Sequence, residues 1–161
     1  MTITAMKTED IPEVTELEKQ CFSQPWSGQV LEAELQNPNS IFLVARHDDR
    51  MAGYVGMHRV LDEGYLFNVA VDGDFRRHGV ATALMDRLLD YASENRLGFL
   101  TLEVREGNTP AIALYKKLGF GEVGRRRQFY ANPTEDAVLM TKFMHFSIRP
   151  EQIRRDGEGK I

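Results

Sequence analysis

The sequence predicts an α+β fold with a mixed, largely antiparallel central sheet flanked by helices. Three observations lead there. Short runs of strand composition recur on both sides of one long helical pattern, giving the order β-α-α-β-β-β-α-β-α-β-β. One strand–helix–strand unit sits in the middle, the connection that parallel strands require. Short polar turns join other strands in pairs, as antiparallel hairpins do.

Each element has its own signal. Ile3–Met6 alternates apolar and polar residues and reads as a strand. Thr8 is placed to cap a helix, with Glu9, Asp10 and Pro12 in its first turn, running to Phe22. Ser23–Ser27 is a turn cluster. A short helix over Gln29–Leu35 follows, stopped by Asn37-Pro38. Ile41–Ala45 is a strand of buried type, His47–Arg50 a hairpin turn, and Met51–Val60 the next strand, with Gly53 and Gly56 as soft points. Asp62-Glu63-Gly64 turns the chain into the rich strand Tyr65–Val71. Val80–Asn95 is the clearest helix, because Ala81, Leu84, Met85, Leu88, Leu89 and Ala92 recur at helical spacing. Phe99–Val104 is a strand. Thr109 and Pro110 open a helix that ends at Leu118-Gly119, glycine being the usual stop. Val123–Tyr130 and Ala137–Phe143 close the fold as strands.

Composition narrows the function classes. The 161 residues are 42% hydrophobic and 27% charged, which fits one globular domain and excludes a disulfide scaffold, a collagen-like repeat or a wholly disordered chain. The charge is −4, from 20 Lys and Arg against 24 Asp and Glu. Nucleic-acid affinity comes mainly from neutralised phosphates, so direct nucleic-acid binding is not expected. No apolar run approaches the ~20 residues of a membrane span, and the start lacks a signal-peptide pattern. Cys21 is the single cysteine, and no Cys or His cluster frames a metal site. No metal, no membrane contact and a cytoplasmic location are therefore expected. Residues 147–161 are charged and glycine-containing and read as a peripheral tail on a domain spanning 1–146.

The segment Arg76-Arg77-His78-Gly79-Val80-Ala81 lies between a strand and the long helix. A helix start carries unpaired N–H groups and the positive end of the helix dipole. Glycine admits a phosphate to the backbone, and arginine adds charge-assisted hydrogen bonds. The segment is either a pyrophosphate cradle or an ordinary connector with solvated arginines. Neither the dinucleotide fingerprint nor the nucleotide P-loop occurs.

This segment resembles the R/Q-x-x-G-x-G/A motif of the GNAT superfamily of N-acetyltransferases, with Arg76, Gly79 and Ala81 at its defining positions. Around it, in the superfamily's order, stand Asn68-Val69-Ala70-Val71, Leu102-Glu103-Val104-Arg105, and Asn108 through Phe120, which matches N-x-x-A-x-x-L-Y-x-x-x-G-F. The resemblance spans residues 2–144. Pro25-Trp26-Ser27, Phe67–Val71, Arg126-Arg127 before Tyr130, and Glu135-Asp136-Ala137 are similar to the branch that acetylates the N-terminal alanine of a small-subunit ribosomal protein. Cys21-Phe22-Ser23-Gln24 departs from that branch, as does Ala81 where Gly is commoner.

The resemblance implies acetyl-CoA as acetyl donor, held by backbone groups of Val69, Ala70 and Val71, by Arg76, Arg77, His78, Gly79, Val80, Ala81 and Thr82, and by Asn108. It implies a small-subunit ribosomal protein's N-terminus as acceptor, and a catalytic pair. Glu103 would take the proton of the amine; its alternative is a surface Glu near Arg105. Tyr115 would protonate the leaving thiolate; by its apolar helix neighbours alone it would be core packing. Asn108 also suits a helix cap. Trp26, Asn68 and Tyr130 would border the peptide groove, with Trp26 equally suited to a core anchor. Arg125-Arg126-Arg127 either lines the substrate channel or sits on a solvated strand face. No base stands beside Cys21 in sequence, so direct transfer in a ternary complex is expected rather than an acetyl-enzyme.

Overall fold

The structure, a computed structural model, describes residues 1–144. The tail expected over 147–161 lies outside the described residues, as does His145. The elements run β1 (Thr2–Ala5), α1 (Ile11–Cys21), α2 (Gly28–Gln36), β2 (Ser40–His47), β3 (Arg50–Val60), β4 (Glu63–Val71), α3 (Val80–Glu94), β5 (Phe99–Arg105), α4 (Thr109–Lys117), β6 (Gly121–Tyr130) and β7 (Glu135–Phe143). The strands form one seven-stranded sheet in the order β1-β2-β3-β4-β5-β7-β6. β4 and β5 are parallel, and every other neighbouring pair is antiparallel.

Two starts differ from the sequence reading. Thr8 does not cap α1. Thr8–Asp10 forms a 3₁₀ turn, and Asp10 reaches back to accept the Lys7 N–H at 2.8 Å. The same carboxylate holds Arg46 at 2.7 Å, so tertiary pairing selects Asp10 over the weaker Thr hydroxyl. The second turn is Leu61-Asp62, not Asp62-Glu63-Gly64. Glu63 and Gly64 belong to β4, because they pair with β3 on one side and β5 on the other.

Strand alternation sends side chains to two cores. Leu66, Leu100, Leu102, Val104, Val138 and Met140 pack with Leu84, Met85, Leu88 and Tyr115 on the α3–α4 side. Phe42, Val44, Tyr54 and Ala70 pack with Val14, Leu17 and Leu31 on the α1–α2 side. α3 fits the first core because its apolar stripe is continuous from Val80 to Ala92.

Two irregularities open the sheet. β4 and β5 pair only over Glu63–Tyr65 and Phe99–Thr101, and beyond these residues they part. β4 also carries a bulge: Asn68 pairs with Gly56 and Leu66 with Met57, leaving Phe67 without a partner. A bulge re-aims the residues beside it. Phe67 and Asn68 consequently both meet the α1–α2 side, where strict alternation would send only one. Gly56 admits the bulge, since a Cβ there would lie 2.5 Å from the Phe42 ring.

Candidate active site

Where β4 and β5 part, the sheet holds a cleft of about 420 Å³. Its walls come from the β4 residues Phe67–Val69, the β5 residues Glu103–Arg105, the α1–α2 loop and the β6–β7 turn. Of the residues singled out from the sequence, Trp26, Asn68, Val69, Glu103, Asn108, Tyr115 and Tyr130 line it together. Ala70 does not: its side chain is buried in the α1–α2 core.

Glu103 projects from β5 on the face opposite buried Leu102 and Val104. Its partner is Arg126, at 3.0 Å, rather than Arg105. The pair is partly exposed, with side chains 58% and 30% accessible for Arg126 and Glu103. Such pairs contribute at most about 1 kcal/mol, so another cation can displace the arginine. Arg125 turns outward to Glu122 and Glu106. The arginine run thus divides: Arg126 pairs with Glu103 of the cleft, and Arg125 sits on the solvated face.

Tyr115 enters from α4 through the other face of the sheet. Burial pushes its hydroxyl pKa up to about 12, and nearby Tyr130 adds to the effect. Tyr130 is likewise raised to about 12, by burial first and then by Glu103, against the opposing charge of Arg105. Both phenols stay protonated at neutral pH. Asn108 caps α4 by accepting the Ala111 N–H at 3.3 Å and also lines the cleft. Trp26 lines the same cleft and packs on Phe67, with ring centroids 5.3 Å apart.

Three residues that sequence reasoning did not single out build the walls. Arg105 ties the cleft's edges together. Its guanidinium donates to Ser23 Oγ at 3.1 Å, to Ala131 O and Pro133 O at 2.9 Å each, and to Glu135 at 3.3 Å. It also stacks 4.6 Å from the centre of the Tyr130 ring. Glu135 in turn accepts the Gly107 N–H ahead of α4. Glu18 is fully buried behind the α1–α2 loop and holds Trp26, Tyr54 and Asn68. Arg105 and Glu135 had sequence signals, within the Leu-Glu-Val-Arg and Glu-Asp-Ala segments, and Glu18 had none. Cys21 lines the cleft with its thiol directed to Val71 O at 3.5 Å.

The Arg76–Thr82 segment lies at the start of the 15-residue helix α3, following β4. Gly79 sits at the N-cap with φ +75°, and Arg77 also has a left-handed φ of 64°. A Cβ on Gly79 would meet nothing within 4 Å, so the glycine answers a backbone requirement and the space before the helix is open. Arg76, Arg77 and His78 are exposed, and none has an ion-pair partner among the described residues. Unpaired helix-start amides beside uncommitted arginines fit a pyrophosphate. The parted edge of β4 offers backbone groups to an extended amide-bearing arm. Among the described residues no group of three or more His, Cys, Asp or Glu could hold a metal ion, and no helix is long and apolar enough to cross a membrane.

Comparison with known proteins agrees with this geometry. The model of the acetyltransferase (GNAT) family matches residues 11–120. The ribosomal protein bS18-alanine N-acetyltransferase of Salmonella typhimurium is 40% identical over 141 residues, covering 86% of this chain and 95% of that protein. The N-alpha-acetyltransferase RimI of Mycobacterium tuberculosis is 34% identical over 148 residues, covering 88% and 92%. A crystal structure of a ribosomal-protein-alanine N-acetyltransferase from Escherichia coli superposes with a TM-score of 0.85 at 34% identity, over 92% of this chain and 97% of that one. With its sheet parted between β4 and β5 and its glycine-led helix start, this chain belongs to the acetyltransferase (GNAT) family.

Proposed function

We propose that this protein is an acetyl-CoA-dependent Nα-acetyltransferase that modifies the N-terminal alanine of a small-subunit ribosomal protein in the cytoplasm. The observation that carries the chemistry is the parting of β4 and β5. It brings Glu103 and Tyr115 into one cleft from opposite faces of the sheet. The acceptor is argued from the relatives that share about a third or more of the sequence.

The donor supplies an acyl carbon activated as a thioester. Arg76–Thr82 hold its pyrophosphate, and the free edge of β4 at Val69–Val71 pairs with its amide-bearing arm. Trp26, Asn68 and Tyr130 border the groove for the incoming N-terminus. A peptide amine has a pKa near 8 and is mostly protonated at pH 7, so attack requires proton removal. Glu103 accepts that proton, directly or through one water, as the ammonium displaces Arg126 from it. A backbone N–H near Val71 stabilises the charge that develops on the carbonyl oxygen. The new N–C bond forms, the nitrogen sheds its second proton to solvent, the C–S bond breaks, and Tyr115 gives its proton to the departing thiolate and is reprotonated from solvent. Cys21 forms no covalent species in this scheme: no basic side chain hydrogen-bonds to its sulfur among the described residues.

The test is mass spectrometry of two peptides incubated with acetyl-CoA and the protein. One starts with a free alanine; the other has a blocked N-terminus and a free lysine. We expect one added acetyl group on the first peptide only. Acetylation of neither, with acetyl-CoA still bound, would move the acceptor to a small-molecule amine.

A further inference from the structure

The mechanism leaves one buried ionisable group unused. Glu18, from the middle of α1, is 0% exposed, and no Lys, Arg or His among the described residues forms an ion pair with it. A buried carboxylate is costly unless hydrogen bonds satisfy it. Glu18 meets this with neutral donors from three other segments. Its Oε2 accepts the backbone N–H of Trp26 at 3.1 Å, and its Oε1 accepts the Asn68 Nδ2 at 2.8 Å together with the Tyr54 hydroxyl. Burial and the adjacent carboxylate push the Tyr54 pKa above its ordinary range, so this hydroxyl remains a donor.

The consequence falls on Asn68. A carboxylate only accepts, so it fixes which end of the Asn68 amide faces it. Nδ2 points to Glu18, and Oδ1 points the other way. Among the described residues no buried side-chain oxygen or nitrogen lacks a partner, and Oδ1 makes no hydrogen bond to them, so Oδ1 is open. Asn68 lines the cleft that also holds Glu103. The β4 bulge turns the residue to this side. Donation to an anion also enriches the amide oxygen, making it a stronger acceptor for a cation.

We infer that Asn68 Oδ1 is a recognition site for the protonated α-amine of the acceptor peptide, and that Glu18 is a positioning residue that holds the amide in this orientation. The inference rests on the substrate reading above and adds how the amine is selected before Glu103 removes its proton.

The test compares two peptides by calorimetry at pH 7 with CoA present. They are identical except that the first residue is alanyl in one and propionyl, lacking only the amine, in the other. A lost hydrogen bond to a charged group corresponds to about a tenfold or larger change in affinity. Asn68→Leu is expected to weaken the alanyl peptide about tenfold and the propionyl peptide less than twofold, with CoA affinity unchanged. Glu18→Gln, which places a second amide against the Asn68 amide, is expected to show the same selective loss. A folded Asn68→Leu protein that weakens both peptides equally, or neither, would overturn the role of Asn68. Selective loss in Asn68→Leu but not in folded Glu18→Gln would overturn the positioning role. Should Glu18→Gln fail to fold, Glu18→Asp, whose shorter carboxylate withdraws from the Asn68 amide, replaces it, with the same selective loss expected. Acetylation of the alanyl peptide by the unaltered protein is measured alongside. Its absence overturns the substrate reading and this inference with it, whereas acetylation with no selective loss overturns the inference alone.

Discussion

Glu103 shares its carboxylate with a half-exposed arginine, and Tyr115 keeps its proton by burial, so the two ends of the proposed reaction are prepared by different physics. Replacing each separates them. Glu103→Gln is expected to lower amine-dependent turnover about 10²-fold or more at pH 7 while sparing acetyl-CoA affinity. Its rate should recover as pH rises through about 8, where the amine loses its proton unaided. Tyr115→Phe should lower the single-turnover rate at all pH values below 10, because the native phenol is protonated throughout that range. A Glu103→Gln profile parallel to that of the unaltered protein would remove Glu103 as base. These residues were legible in sequence because they sit in ordered motifs. Glu18 was not. In Glu16-Leu17-Glu18-Lys19 it reads as one more charge on a helix, and only the packing of α1 on β3 and β4 makes it buried. Arg105 was misread for a related reason: its partners Ser23, Ala131 and Glu135 are distant in the chain.

Every long element was visible from periodicity and turn chemistry, and the α3 stripe and the cap at Asn108 followed local rules. The β4 bulge was not visible. Tyr65–Val71 alternates and bulges with the same composition, and the slip depends on a glycine in the neighbouring strand. The start of α3 was legible because its glycine has a local cause. Gly79→Ala would put a Cβ on a residue with φ +75°. We expect a stability loss of about 1 kcal/mol by urea denaturation, and a larger proportional loss of acetyl-CoA affinity as the first turn of α3 tilts to relieve the strain. Unchanged acetyl-CoA affinity would place the pyrophosphate elsewhere.

For the whole molecule, the phenols set an alkaline limit. Tyr115 and Tyr130 rise to about 12 in the folded chain against 10.0 for ordinary tyrosine. Between these values the folded state binds more protons than the unfolded one, so stability falls as pH rises. It is fully present below about pH 10; above that buried Tyr115 removes up to about 1.4 kcal/mol per pH unit, and half-buried Tyr130 removes less. Urea denaturation across pH 8–11.5 would show it, with Tyr115→Phe flattening the slope. The fold class and the antiparallel flanks could be read from the chain; how far β4 and β5 separate could not, because it depends on the pairing of residues more than thirty positions apart. In the proposed mechanism that separation gives the two substrates different approaches to one cleft: the nucleotide-bearing donor arrives beside α3, and the polypeptide arrives between the α1–α2 loop and the β6–β7 turn. On that reading a spent donor is exchanged while a bulky protein client remains docked.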